Sequence, residues 1–240
     1  MSRLLPGPRR MTEINTYSNP EAVQQRLERH DHRGLVGGMW EEIGKLQLDF
    51  LISQGLLPAM KLLDIGCGCL RGGVHFVSYL ESGNYYGIDG LQQLLDAGMD
   101  VEIPALGLTE RLPRENLLCD WDFSAARFGV GFDIAIAQSV FTHLPLNHIR
   151  QCLSRIAPAM KSGSRFFATM FAAPDADAWH EPLRHEPGGI TTFPTRDPYH
   201  YCFEHLEMCA ESRQWKFDVI GQWGHPRDQQ MVCFTRLGDS

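Results

Sequence analysis

The feature that most limits what this chain can fold into is the run Leu62-Leu63-Asp64-Ile65-Gly66-Cys67-Gly68-Cys69-Leu70-Arg71-Gly72-Gly73. A short apolar segment of strand character breaks into glycines and then into a helical pattern. That is how a buried strand turns into the helix that covers it. Glycines at such a turn tolerate positive backbone dihedrals and let a ligand approach the main chain. A pyrophosphate-binding turn spaces them G-x-G-x-x-G and docks its ligand on the next helix N-terminus. Here the third glycine comes one residue later, and a carboxylate, Asp64, stands two residues before the first. A carboxylate there repels a diphosphate and attracts a cation, so the turn is expected to hold a nucleoside that carries positive charge.

The same rhythm continues along the chain. Strands are expected over 60–65, 84–88, 116–119, 132–137 and 164–170, and helices over 72–80, 91–99 and 148–160. Near-continuous apolar strands alternating with helices indicate βαβ units and a parallel sheet covered on both faces. After a proline-rich, apolar-poor insertion over 173–199, of the kind that is usually functional, come a helix over 203–213 and strands over 216–220 and 230–235. The short connection between those last strands requires antiparallel pairing. Upstream, an amphipathic helix is expected over 38–53 and a polar one over 19–31.

Composition removes several functions. Acidic residues outnumber basic ones, 29 to 22, for a net charge of -7, which disfavours a duplex-DNA binder with its basic face. No apolar run approaches the roughly 18 residues of a membrane span. The first ten residues lack the apolar core of a secretory signal, and Arg9-Arg10 lacks the stretch a twin-arginine signal requires. The cysteines lie mostly inside apolar runs, as befits a reducing compartment, so a cytoplasmic location is expected. No metal is expected: Cys67 and Cys69 belong to the glycine turn, and the spacing of His200 and His205 does not bring them onto one helical face.

Other strand ends carry chemistry as well. Tyr85-Tyr86-Gly87-Ile88-Asp89 ends in an acid about 20 residues beyond the glycines, where a carboxylate accepts both hydroxyls of a ribose. Asp120-Trp121 follows the third strand, and Gln138-Ser139-Val140-Phe141-Thr142-His143-Leu144 follows the fourth. Trp40 and Gln47 belong either to a helix packed on the sheet or to a lid that closes over a ligand.

Together these stretches resemble the class I S-adenosylmethionine-dependent methyltransferases, whose first strand ends in an acid and a G-x-G turn. The resemblance implies a Rossmann-like, doubly wound α/β fold over 34–240. Its sheet would be seven-stranded and mostly parallel, with an antiparallel last strand, and an N-terminal arm and helix would occupy 1–33. It implies S-adenosylmethionine as cofactor, held by Asp64, Gly66, Cys67 and Gly68 at the turn. Asp89 and Gly90 would serve the ribose, Asp120 and Trp121 the adenine, and Gln138 the methionine end. The fourth-strand loop is similar to a Ser-Val-Phe-Thr-His-Leu version found in many small methyltransferases. It implies Phe141 and His143 on the acceptor side, joined by Tyr201 and Arg227, with His143 as general base and His200 and His225 in reserve.

The runs used for planar amino groups (Asn/Asp-Pro-Pro-Tyr) and for cytosine-type bases (Pro-Cys) are missing, so O-methylation of a small molecule or saccharide is expected, with neither membrane nor nucleic acid as partner. A carboxylate or amine acceptor would need no base. Two other functions fit less of the pattern. One is a domain that binds the cofactor or a partner without turnover. The other is a nicotinamide-dependent oxidoreductase, which the glycine spacing and Asp64 disfavour.

Overall fold

The computed structural model describes residues 31–210 and 213–238. The arm and the polar helix expected at the N-terminus lie almost wholly outside them.

The described residues open with a single helical turn, α1 (His32–Leu35), and the longer α2 (Trp40–Ser53). Alternation then sets in: β1 (Leu62–Ile65), α3 (Gly73–Tyr79), β2 (Tyr85–Asp89), α4 (Gln92–Ala97), β3 (Leu117–Cys119), β4 (Phe132–Ala137), α5 (Leu146–Ile156) and β5 (Met160–Ala172). The insertion carries β6 (Leu183–His185) and β7 (Ile190–Thr192), β8 (His200–Tyr201) follows it directly, and then come α6 (Phe203–Cys209), β9 (Trp215–Gln222) and β10 (Gln230–Arg236).

The main sheet runs β3-β2-β1-β4-β5-β10-β9. Its first five strands are parallel, and β10 is antiparallel to both neighbours. This is the expected seven-stranded arrangement with an antiparallel last strand, to which β8 adds a two-residue parallel pairing at the end of β5. Strand order reverses between β1 and β4. In open α/β sheets ligands bind at that switch point, beyond the carboxyl ends of the strands.

Three elements differ from the sequence expectation. β5 starts at Met160, because Met160 already pairs with Phe132 although Lys161-Ser162-Gly163 reads as a turn. α5 stops at Ile156, and Pro158 lies in the tighter turn that follows. The insertion is not wholly irregular: β6 and β7 form a hairpin whose tip has Gly189 at φ +66°.

Period-two alternation divides the core between the two faces of the sheet. Phe166 of β5 and Phe234 of β10 pack with Phe141, Trp215 and the Ile149, Leu153, Ile156 stripe of α5. Phe167 and Cys233, their immediate neighbours, pack on the opposite face with Phe76, Tyr85 and Leu51 of α2. Phe234 has ring partners at 5.9 Å (Phe166), 6.2 Å (Phe141) and 5.3 Å (Phe217). Phe234→Ala therefore leaves a void among rigid rings, and urea unfolding should show a loss of about 3–5 kcal/mol.

Candidate functional site

Four strand ends open onto one cleft of about 970 Å³, taken to its mouth. In sheet order its wall presents Asp120 after β3, Asp89 ending β2, Asp64 within β1 and Gln138 after β4. The structure thus brings the four polar residues expected from sequence onto one cavity, together with Gly66, Cys67, Gly68, Gly90, Trp121 and His143.

The glycine turn is shaped by close approach. Gly66 sits at φ +68°, and a Cβ there would lie 2.4 Å from Val140 Cγ2. Asp89 ties this turn to β2: its Oδ2 accepts the Gly68 amide at 2.9 Å, and its Oδ1 accepts the Leu91 amide at 2.9 Å. The residue therefore caps a turn while its carboxylate faces the cleft, and each oxygen keeps a second lone pair for a ligand. Beyond it the Trp121 indole lies over Gly90, where a Cβ would come within 2.4 Å of the ring. With about half its surface exposed, the indole offers a flat apolar face at the mouth. Asp120 is anchored by the Ser124 amide, 2.7 Å from its Oδ2.

Asp64 is the unusual group. It is buried, accepts a hydrogen bond from the Tyr85 hydroxyl at 2.8 Å, and has its pKa pushed up to about 7, chiefly by burial. Asp89 nearby pushes in the same direction, while the Tyr85 bond and Arg71 oppose it. A carboxylate so deprived of water is at ease only when protonated or when a cation joins it. Cys67 beside it is buried, and its thiol is pushed well up, first by burial and then by Asp64, so it is no nucleophile at neutral pH.

At the β4 end the polar groups form a network. Arg71 Nη2 donates to Gln138 Oε1 at 2.6 Å. Because a guanidinium has only donors, this bond turns the amide nitrogen toward Ser139 Oγ (2.6 Å) and His225 Nε2 (3.1 Å). His225 has the Arg227 amide 3.2 Å from its other ring nitrogen, Nδ1, and burial, aided by Arg71 and Arg227, holds its pKa down to about 3, so the imidazole is neutral. Ser139 is kept at φ +58° by its amide on Thr169 Oγ1 (2.7 Å) and its hydroxyl on Gln229 (3.0 Å). Such strain persists only where the surroundings over-determine it.

The acceptor-side expectations divide. His143 lines the cleft, and its Nδ1 lies 2.5 Å from Asp197 Oδ1 in the insertion. The insertion is laced to the same loop once more, through the Tyr199 amide on Thr142 O (2.7 Å), and just after it the Tyr201 hydroxyl donates to Leu144 O (2.6 Å).

The other residues expected there are engaged elsewhere. Phe141 is wholly buried in the aromatic core, since the turn after β4 directs it under the sheet. Tyr201 is buried, with its hydroxyl committed to Leu144. His200 is buried: its Nε2–H donates to Trp179 O (2.9 Å) and its Nδ1 accepts from Thr192 (2.7 Å), so it holds the insertion together instead of facing a substrate. His225 braces Gln138 from behind the cleft wall, and Arg227 donates through Nη2 to Gly37 O. Of the two lid candidates, Gln47 lines the cleft, whereas Trp40 packs beneath the Arg33 guanidinium at 4.5 Å.

Sequence reasoning missed Arg71 and Asp197. A lone arginine inside an otherwise apolar glycine turn was the available signal for the first; nothing local marks the second.

No family model matches the chain. Solved structures do. Magnesium protoporphyrin IX methyltransferase from Synechocystis PCC 6803 with bound SAH superposes with a TM-score of 0.58 at 16% identity over 90% of this chain and 98% of that one. An S-adenosylmethionine-dependent methyltransferase from Clostridium acetobutylicum ATCC 824 gives 0.60 at 12% identity over 91% and 100%. The pyocyanin biosynthetic protein PhzM gives 0.63 at 14% identity over 89% of this chain and 61% of that longer one. The chain has the fold of the class I S-adenosylmethionine-dependent methyltransferases.

The burial of Asp64 has a measurable cost. Its folded pKa lies above the ordinary carboxylate value of 3.8, so the native state loses stability as pH rises from about 4 toward 7. Asp64→Asn keeps an oxygen for Tyr85 and removes the charge. Thermal or urea unfolding at pH 7 should show a gain of roughly 2–4 kcal/mol over the parent, and the gain should vanish near pH 4.

Proposed function

We propose that the protein is an S-adenosylmethionine-dependent methyltransferase that O-methylates a small hydroxylated molecule or a saccharide. The observation that carries this reading is the buried Asp64, near neutrality in its titration, sharing one cleft with Asp89 at the switch point of the sheet. A site built this way favours a ligand joining a ribose to a positive centre, and it disfavours a diphosphate. The fold supports the same reading, and one of the similar structures carries SAH. Six of the seven cysteines are buried free thiols and Cys119 is an exposed one, which supports the cytoplasmic location expected from the sequence.

When bound, S-adenosylmethionine supplies an electrophilic methyl group on sulfur. The protein's part is then to bind, align and deprotonate. Asp64 stabilises the positive centre, with Gly66, Cys67 and Gly68 lining the turn beside it. Asp89 accepts from the ribose hydroxyls at Gly90, Trp121 covers the adenine, Asp120 takes its amino group, and Gln138 meets the methionine end. Orientation matters most here, because holding reacting atoms about 3–3.5 Å apart in line removes several kcal/mol of barrier. His143 takes the hydroxyl proton of the acceptor. The Asp197 carboxylate can only accept, so it holds the imidazole proton on Nδ1, and Nε2 is the nitrogen that would act as base.

Calorimetry tests the cofactor assignment. S-adenosylmethionine and S-adenosylhomocysteine should bind in the micromolar range and NAD not at all, with Asp89→Ala weakening both by about tenfold or more. An unchanged affinity in that variant would remove the ribose role. Because cation binding favours ionised Asp64, affinity for S-adenosylmethionine should rise between pH 6 and 8, and binding at pH 6.5 should release protons to the buffer. Incubating cell extract with isotopically labelled methyl donor and reading products by mass spectrometry identifies the acceptor. His143→Gln should lower that labelling about a hundredfold, and undiminished labelling would mean that no base is used.

A further inference from the structure

At the β1–β4 end of the cleft, past Asp64, the wall is formed by Arg71. Among the described residues lining the cavity it is the only lysine or arginine. It is buried, and its guanidinium plane is fixed by three acceptors from different parts of the chain: Gln138 Oε1 at 2.6 Å, and Val36 O and Gly38 O at 2.8 Å each. Its charge is felt on both sides, by Asp64 and by His225.

The carbonyls it grips belong to a strap of unusual backbone. Gly37, Gly38 and Met39 are consecutive left-handed residues, at φ +91°, +65° and +49°. Val36 lies against Gly68 and lines the cleft, so the strap roofs the glycine turn. Arg227 holds the carbonyl between the two that Arg71 holds. At the strap's start, Glu102 takes Arg33 through two bonds (2.7 and 2.6 Å) and His32 through one (2.6 Å).

The cleft therefore reads as a sequence of charges: acids at β3, β2 and β1, then a cation. The cofactor of the reading above has a matching order, with adenosine, then sulfonium, then an amino-acid end that is both ammonium and carboxylate. With both Nη1 hydrogens and one on Nη2 given to the chain, the guanidinium is a positive charge fixed at the cleft wall, and a carboxylate meeting it costs the protein little freedom on pairing.

We propose that Arg71 receives the carboxylate of the cofactor's amino-acid end and, through Val36 and Gly38, couples its arrival to the seating of the strap over the cavity. The assignment rests on the reading that the cleft holds S-adenosylmethionine. It makes Arg71 the residue that rejects nucleoside thioethers lacking that carboxylate.

The test uses the whole chain and two probes, S-adenosylhomocysteine and its decarboxylated analogue, which keeps the ammonium. By calorimetry the parent should prefer S-adenosylhomocysteine by about thirtyfold or more. Arg71→Met should collapse that preference to about threefold or less, mainly by weakening S-adenosylhomocysteine. Arg71→Lys, which keeps the charge and loses the fork, should retain an intermediate preference, and it serves if the Met variant fails to fold. Hydrogen exchange should show amides over 36–44 protected by S-adenosylhomocysteine but not by the analogue. Equal affinity of the parent for both probes, or an equal fall for both in Arg71→Met, overturns the Arg71 assignment alone. Failure of the parent to bind either probe overturns the methyltransferase reading with it.

Discussion

A buried carboxylate at the centre of the crest is the constraint around which the site is organised. Asp64 sits in the first strand, so the sheet cannot expel it, and its only described hydrogen-bonding side chain is the Tyr85 hydroxyl. Everything nearby answers to that charge. The glycine turn lines the cleft beside it, Asp89 fastens the turn to the next strand through the Gly68 amide, and Arg71 approaches from the far side. A chain selected for stability alone would place an apolar residue in β1 here. Retaining an acid whose burial works against the empty fold indicates a ligand that restores the balance.

Much of the scaffold could be read from the chain because its elements obey local rules. The runs around Leu62, Tyr85 and Phe132 are short, apolar and bounded by turn residues, and α5 shows its buried stripe at helical spacing. Acids at strand ends were legible for the same reason: strand and breaker fix where the side chain emerges. β5 was underestimated because Lys161-Ser162-Gly163 has turn composition, while pairing with β4 and β10 outweighs that preference.

The acceptor side was less legible, and for one physical reason. An aromatic or imidazole residue in a loop has the same local signature whether it faces solvent, a ligand or the core. Phe141 fills a space beside Phe166 and Phe234; His200 satisfies a carbonyl and a threonine; Tyr201 reaches Leu144. Each role depends on partners remote in sequence. The pairing of His143 with Asp197 is of the same kind.

The lacing of the insertion has an evolutionary side. Asp197, Tyr199 and Tyr201 join the very loop that carries His143, so the proline-rich stretch of the chain is also a brace for a residue that lines the cleft. Grafting a different insertion onto this framework would therefore also remove the contact that holds the His143 imidazole. Residues between these contacts can change without loosening the imidazole, whereas Asp197 and Tyr199 cannot.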